Sequence, residues 1–163
     1  MAHALLRSVS RLVATLCLLA MACLPSFGAS EEVCPWVNAA TAGGVLGGRI
    51  TNIKVKHALT GDDASCEFAQ RDGSLLSVEV ETMNSPAIDF PSYLARCHSP
   101  SEPLKAIGNT ALACGDEGAE QVIGRVRNRA FIVRISTKDR PPNPAELREK
   151  ARKVAEQVAG ILF

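Results

Sequence analysis

The sequence lacks an excess of charge of either sign: 18 Lys+Arg stand against 17 Asp+Glu in 163 residues. A nucleic-acid binder neutralises many phosphates at once, so this balance leaves no reason to expect nucleic acid as a partner. Beyond Leu24 the chain also lacks any long apolar run, and a spanning helix needs about 20 such residues, so no transmembrane segment is expected. Catalytic signatures are missing as well. There is no Gly-x-Ser-x-Gly elbow, and no two cysteines have the two-to-four-residue spacing of structural zinc sites. The run Gly43-Gly44-Val45-Leu46-Gly47-Gly48 has neither the lysine nor the preceding strand of a phosphate loop, and reads as a helix stop or packing glycines. No repeat or low-complexity tract occurs. The sequence implies no metal and no cofactor.

What is present begins with an export signal. Arg7 and Arg11 precede the uncharged apolar segment Leu12–Leu24, Pro25 breaks it, and Ser26-Phe27-Gly28 sets small residues at −3 and −1 of a cut after Gly28. We therefore expect residues 1–28 to be a signal peptide and residues 29–163 to be a single domain, secreted or periplasmic. Cleavage would leave 16 Lys+Arg against 17 Asp+Glu. Cys23 follows Ala20-Met21-Ala22, a poor match to a lipid-attachment site, and reads as an apolar residue of the signal rather than a lipid anchor.

Four cysteines remain, Cys34, Cys66, Cys97 and Cys114, an even number in an exported chain, which predicts two disulfides. Cys34–Cys66 and Cys97–Cys114 join neighbouring segments and are favoured; sequence alone leaves the other two connectivities open.

The domain is organised around Gln121–Thr137. Its apolar residues alternate on both sides of Arg127-Asn128-Arg129, the pattern of two antiparallel strands joined by a tight turn. A turn at Asn128-Arg129 would oppose Val126 to Phe131, Gly124 to Val133 and Val122 to Ile135. One face is then apolar, and the other carries Arg125, Arg127, Ala130, Ile132 and Arg134 exposed to water. Upstream, Ile50–Leu59, Ser65–Ala69 and Ser74–Thr82 alternate as three successive strands, with Leu76, Val78 and Val80 inward and Ser77, Glu79 and Glu81 outward. Glu31–Gly48 predicts a short helix with Pro35 in its first turn, and Trp36 should pack it onto the domain. Asn84–Pro91 reads as a loop, followed by a short helix with Asp89 as candidate cap. Leu104–Asp116 reads as a bent, packed connection. The clearest element is last: Asn143-Pro144-Ala145-Glu146 starts a helix, and Leu147, Ala151, Val154, Val158 and Ile161 form its apolar stripe. The expected fold is α+β, a curved antiparallel sheet of about five strands with a short N-terminal and a long C-terminal helix packed on it.

Few residues offer chemistry. After the signal only His57 and His98 could act as bases, and neither has a recognisable nucleophile beside it. Asp62-Asp63 and Asp116-Glu117 read as solvated turns, because neither has further acids at calcium-loop positions. The most concentrated polar feature is Arg125, Arg127, Arg129 and Arg134. Arg125, Arg127 and Arg134 are the candidate ligand-binding residues, with Glu79 and Glu81 placed to neutralise part of their charge.

Cys34 opening a short helix that ends Val45-Leu46-Gly47-Gly48, Ser65-Cys66-Glu67-Phe68 in a strand, Ala106-Ile107-Gly108-Asn109-Thr110-Ala111 before the hairpin and the final amphipathic helix together resemble a set of small exported bacterial domains of unknown function. These are found in envelope lipoproteins and, with a related layout, in extracytoplasmic sensor domains of receptor kinases. The resemblance implies an α+β sandwich and a role in binding or sensing. The expected function is thus non-catalytic binding of a small ligand or an envelope protein. The alternatives are a secreted hydrolase using His57 or His98, and a purely structural or inhibitory contact module.

Overall fold

A computed structural model describes residues 33–59, 62–97, 101–116, 118–138 and 143–163. The signal peptide, Cys23 and His98 fall outside these residues, as do Gly61 and Glu117. Seven strands form one antiparallel sheet: β1 (Ile50–His57), β2 (Ala64–Gln70), β3 (Leu75–Thr82), β4 (Glu102–Leu104), β5 (Thr110–Asp116), β6 (Ala119–Val126) and β7 (Arg129–Ser136), in the order β1-β2-β3-β7-β6-β5-β4. Three helices accompany them: α1 (Ala39–Leu46), α2 (Pro86–Leu94) and α3 (Pro144–Leu162). The α+β, antiparallel expectation holds. The strand count does not, because Leu104–Asp116 is no mere connection. It contributes β5 and the end of β4, whose inward residues, Ala111 and Ala113, are too small to stand out as an apolar pattern.

The β6–β7 hairpin forms with a register two residues away from the expected one. Val126 pairs with Arg129, Gly124 with Phe131 and Val122 with Val133, so the turn is Arg127-Asn128, with Arg127 at φ 53°. A shift of two preserves the pleat, so the strand side chains keep their faces, while Arg127 leaves the strand for the turn. The register also seats the Phe131 ring over Gly124, where a β-carbon would collide with it.

One face of the sheet carries the main core. Phe68, Leu76, Val78 and Val80 are buried there on the side that α1 covers, and Val122, Phe131, Val133 and Ile135 on the side that α3 covers. Asn143 caps α3, its side chain accepting from the Ala145 N–H at 3.1 Å, and Leu147, Ala151, Val154 and Val158 point inward as expected. Each such Leu or Val contributes about 1.5–3 kcal/mol by leaving water. Ile161 is half exposed instead; Ala155 and Ala159 extend the buried stripe, and their small size lets the helix lie close to β6 and β7. Beneath α3 the buried Glu120 carboxylate accepts from Arg148 Nε at 3.0 Å.

The start of the domain also differs. Cys34, Trp36 and Val37 are buried ahead of α1, and Asn38 caps that helix by accepting from the Thr41 N–H at 2.8 Å. Pro35 therefore precedes the helix rather than opening it. Gly47, at φ 83°, ends α1 in the left-handed conformation that glycine adopts without penalty. Cys34–Cys66 and Cys97–Cys114 are the bonded pairs, each with a Cα–Cα distance of 5.8 Å.

The second face is not simply wet. α2 starts at Pro86, inside the stretch read as a loop, and Asp89 is not its cap residue but accepts from the Ser85 N–H at 2.8 Å. The helix buries Phe90 against Met83, Ile123, Ala130 and Ile132, with Tyr93, Leu94 and Cys97 partly covered. The half of this face made by β6 and β7 is thus a second, smaller core. The half made by β1, β2 and β3 stays open, with Lys54 and Lys56 exposed and Ser65, Glu67, Ser77 and Glu79 half-buried.

Candidate functional site

On the open half of the second face, alternation along β3 turns Glu79 and Glu81 away from the main core, two residues apart and side by side. α2 brings Tyr93 to them from above, and the turn that follows it brings Arg96. Tyr93 Oη donates to Glu81 Oε2 at 2.5 Å, and Arg96 Nη1 lies 3.3 and 3.2 Å from the two Glu79 oxygens. The Arg96 guanidinium also stacks over the Tyr93 ring, 5.2 Å from its centre. Burial pushes the Glu79 carboxyl above the usual range, helped by its hydrogen bond to Glu81 and opposed by Arg96. Burial likewise holds the Tyr93 phenol well above its ordinary value, reinforced by the Glu81 bond. Two neighbouring carboxylates are therefore kept by one hydroxyl and one guanidinium.

Beside this group lies an open depression of about 360 Å³, whose walls include Lys56, Ser65, Glu79, Glu81 and Thr82. It presents both signs of charge. Among the described residues Lys56 makes no ion pair, whereas the Asp63 carboxylate is occupied, accepting from the Thr82 N–H at 2.9 Å and Oγ1 at 2.7 Å and pairing with Arg129 at 3.1 Å. His57 is exposed and reaches the same rim. Among the described residues no hydrogen bond joins His57, Ser65 and Asp63, so the three do not form a nucleophilic relay here.

The four arginines are separated by the fold. Arg125 and Arg134 share the second face, but four ladder positions apart, about 13 Å along a strand. α2 covers the row between them, Ile123, Ala130 and Ile132. Arg125 lies under the Phe90 ring, 5.6 Å from its centre. Arg127 is exposed at the turn, its N–H donating to Asn109 Oδ1 at 2.6 Å. Arg129 faces the opposite way, stacked on Trp36 at 5.6 Å and bonded to the Asp62 carbonyl at 3.1 Å. Trp36 is buried, as a packing residue should be, and its carbonyl accepts from Gln157 at 3.1 Å.

Sequence reading placed Glu79 and Glu81 outward but missed their partners. Tyr93 lies in the last turn of α2 and Arg96 two residues past its end, so no helical spacing in the sequence marked the pair.

No family model and no curated protein matches the chain. Among solved structures, the crystal structure of a GTP-binding regulator from Thermotoga maritima is similar at 16% sequence identity and a TM-score of 0.40, covering 75% of this chain and 90% of that one. A likeness that loose carries no argument about fold or function. Two disulfides fit an oxidising compartment. No helix among the described residues is long and apolar enough to cross a membrane.

Proposed function

We propose that this is an exported, non-catalytic binding domain that takes a small polar ligand on the open half of its second sheet face. The observation that carries the reading is the depression beside β3, where Glu79 and Glu81 stand on one side and Lys56 on the other. A zwitterionic ligand matches that arrangement, with its cationic group toward the carboxylates and its anionic group toward the lysine. Tyr93 and Arg96 hold Glu79 and Glu81 in place before a ligand arrives, which lowers the ordering cost of binding. The signal sequence and the disulfides support export to a secreted or periplasmic location. The resemblance to envelope and sensor domains supports binding rather than turnover.

Native mass spectrometry of the protein taken from its own cells tests this. The expected result is a mass beginning at Ala29, four hydrogens below the reduced form, with an adduct that is lost on denaturation. The adduct should vanish from a Glu81→Gln, Lys56→Ala variant. A bare monomer, or an adduct indifferent to both substitutions, counts against the depression as the site.

A further inference from the structure

β1 is an edge of the seven-stranded sheet, and among the described residues nothing pairs with its outer side. Its ladder with β2 determines which backbone groups that side offers. The Ala58 N–H donates to the Asp63 carbonyl at 2.9 Å, and bonded pairs in an antiparallel ladder recur at every second residue. With Lys56 opposite Ser65 and Lys54 opposite Glu67, these lysines turn their backbone groups toward β2. Ile53, Val55 and His57 therefore turn their N–H and C=O groups outward, spaced about 6.7 Å apart.

Side chains then select what can pair there. Lys54 and Lys56 are exposed on the open face; Lys54 pairs with Glu67 at 3.1 Å, and among the described residues Lys56 has no ion-pair partner. A second copy of the chain fits poorly. Antiparallel self-pairing centred on Lys54, Val55 or Lys56 sets a lysine directly against a lysine, which destabilises a ladder. Centring on Ile53 avoids this only by running through the irregularity between Ile50 and Asn52, and centring on His57 only by pairing beyond the end of β1. An incoming strand with acidic residues at alternate positions meets none of these obstacles. A depression of about 520 Å³ lined by Ala39, Ala40, Gly43, Gly48, Arg49 and Ile50 lies where α1 meets the start of β1. Exposed Arg49, one residue before β1, adds positive charge at that end of the strand.

We propose that the outer edge of β1 accepts an extended, acidic segment of another protein by strand addition, using the backbone groups of Ile53, Val55 and His57 and the charge of Lys56. Lys56 and His57 also line the small-ligand depression, whereas Ile53 and Val55 do not, so protection of the Ile53 and Val55 amides is the readout that separates the two sites.

Amide exchange by NMR on the labelled protein tests the edge, with two blocked peptides as probes: Thr-Glu-Val-Glu-Val-Glu-Thr and the same sequence with lysine in place of glutamate. The acidic peptide should bind and slow exchange at Ile53, Val55 and His57. Lys56→Glu, at an exposed position, should weaken it roughly fivefold, and Ile53→Pro, which removes one outward donor from an edge where proline is tolerated, should abolish it. Equal binding of the two peptides, binding without protection of these amides, no binding, or an unchanged affinity in Lys56→Glu overturns the proposal. A dimer whose edge is protected without peptide assigns the edge to a second copy and overturns it too.

Discussion

The ring of Phe131 lies across the ladder from Gly124 and fills the space a β-carbon there would occupy. Both residues face the main core at the centre of the sheet, so neither strand can yield without disturbing β3 or β5. Gly124→Ala should therefore destabilise the domain by about 1–3 kcal/mol through overpacking. Adding Phe131→Leu to that variant should cost less than Phe131→Leu costs alone, because the smaller side chain relieves the clash. Urea unfolding of the four proteins in the cycle measures this coupling.

Glu120 is buried and pairs with Arg148 on α3 at 3.0 Å. Arg148→Met leaves a desolvated carboxylate behind. Because Arg148 is itself partly exposed, the loss should be nearer 2 kcal/mol than the roughly 3–5 kcal/mol of a fully buried broken pair. Replacing both, Glu120→Gln with Arg148→Met, should recover part of that loss in the same unfolding assay.

Glu79 has a pH signature. Its carboxyl is raised in the folded protein, by burial first and then by the hydrogen bond to Glu81. The folded state thus holds its proton more tightly than the unfolded chain does. The resulting stabilisation is fully present below the ordinary value of 4.5 and is lost as pH rises through the folded value. The Glu79 side-chain carbon should titrate by NMR with a midpoint above 4.5, and Glu79→Gln should flatten the dependence of stability on pH in that window.

Tyr93→Phe removes the hydroxyl that donates to Glu81 and leaves the ring against Arg96 and Phe90. A hydrogen bond to a charged group is worth about 1.5–3 kcal/mol, and the partial exposure of this one places the expected loss at the lower end. If Tyr93 preorganises the depression, ligand binding should fall in the same variant by more than the stability change alone accounts for; equal affinity would remove Tyr93 from the site.

The two disulfides close loops of different length, with sequence separations of 32 for Cys34–Cys66 and 17 for Cys97–Cys114. Chain entropy predicts a loss of about 4 kcal/mol on removing the first as a double serine variant and about 3 kcal/mol for the second. The second should also loosen α2, since Cys97 anchors its C-terminal end to β5. That loosening is checked by faster amide exchange around Phe90 and Tyr93, with the main core unchanged.

By itself the sequence determined the elements whose signal is local. The period of two in Ser74–Thr82 and Gln121–Thr137 assigned each side chain to a face, and that assignment survived a hairpin register two residues from the expected one because the pleat has the same period. Asn143-Pro144 marked the start of α3, and the cysteine spacing pointed to the pairs that formed. Only the tertiary structure decided the rest. β4 and β5 are stabilised by pairing at the sheet edge, and the alanines of β5 carry almost no hydrophobic pattern of their own. α2 exists within a proline-containing stretch because Phe90 finds Ile123 and Ile132 beneath it, residues more than thirty positions away in the chain. The candidate site shares that origin. Glu79 and Glu81 were legible as outward residues, but Tyr93 and Arg96 reach them through packing of α2 on β6 and β7, and long-range packing leaves no mark in the spacing of a single segment. The same packing separated Arg125 from Arg134 by placing a small apolar core between them.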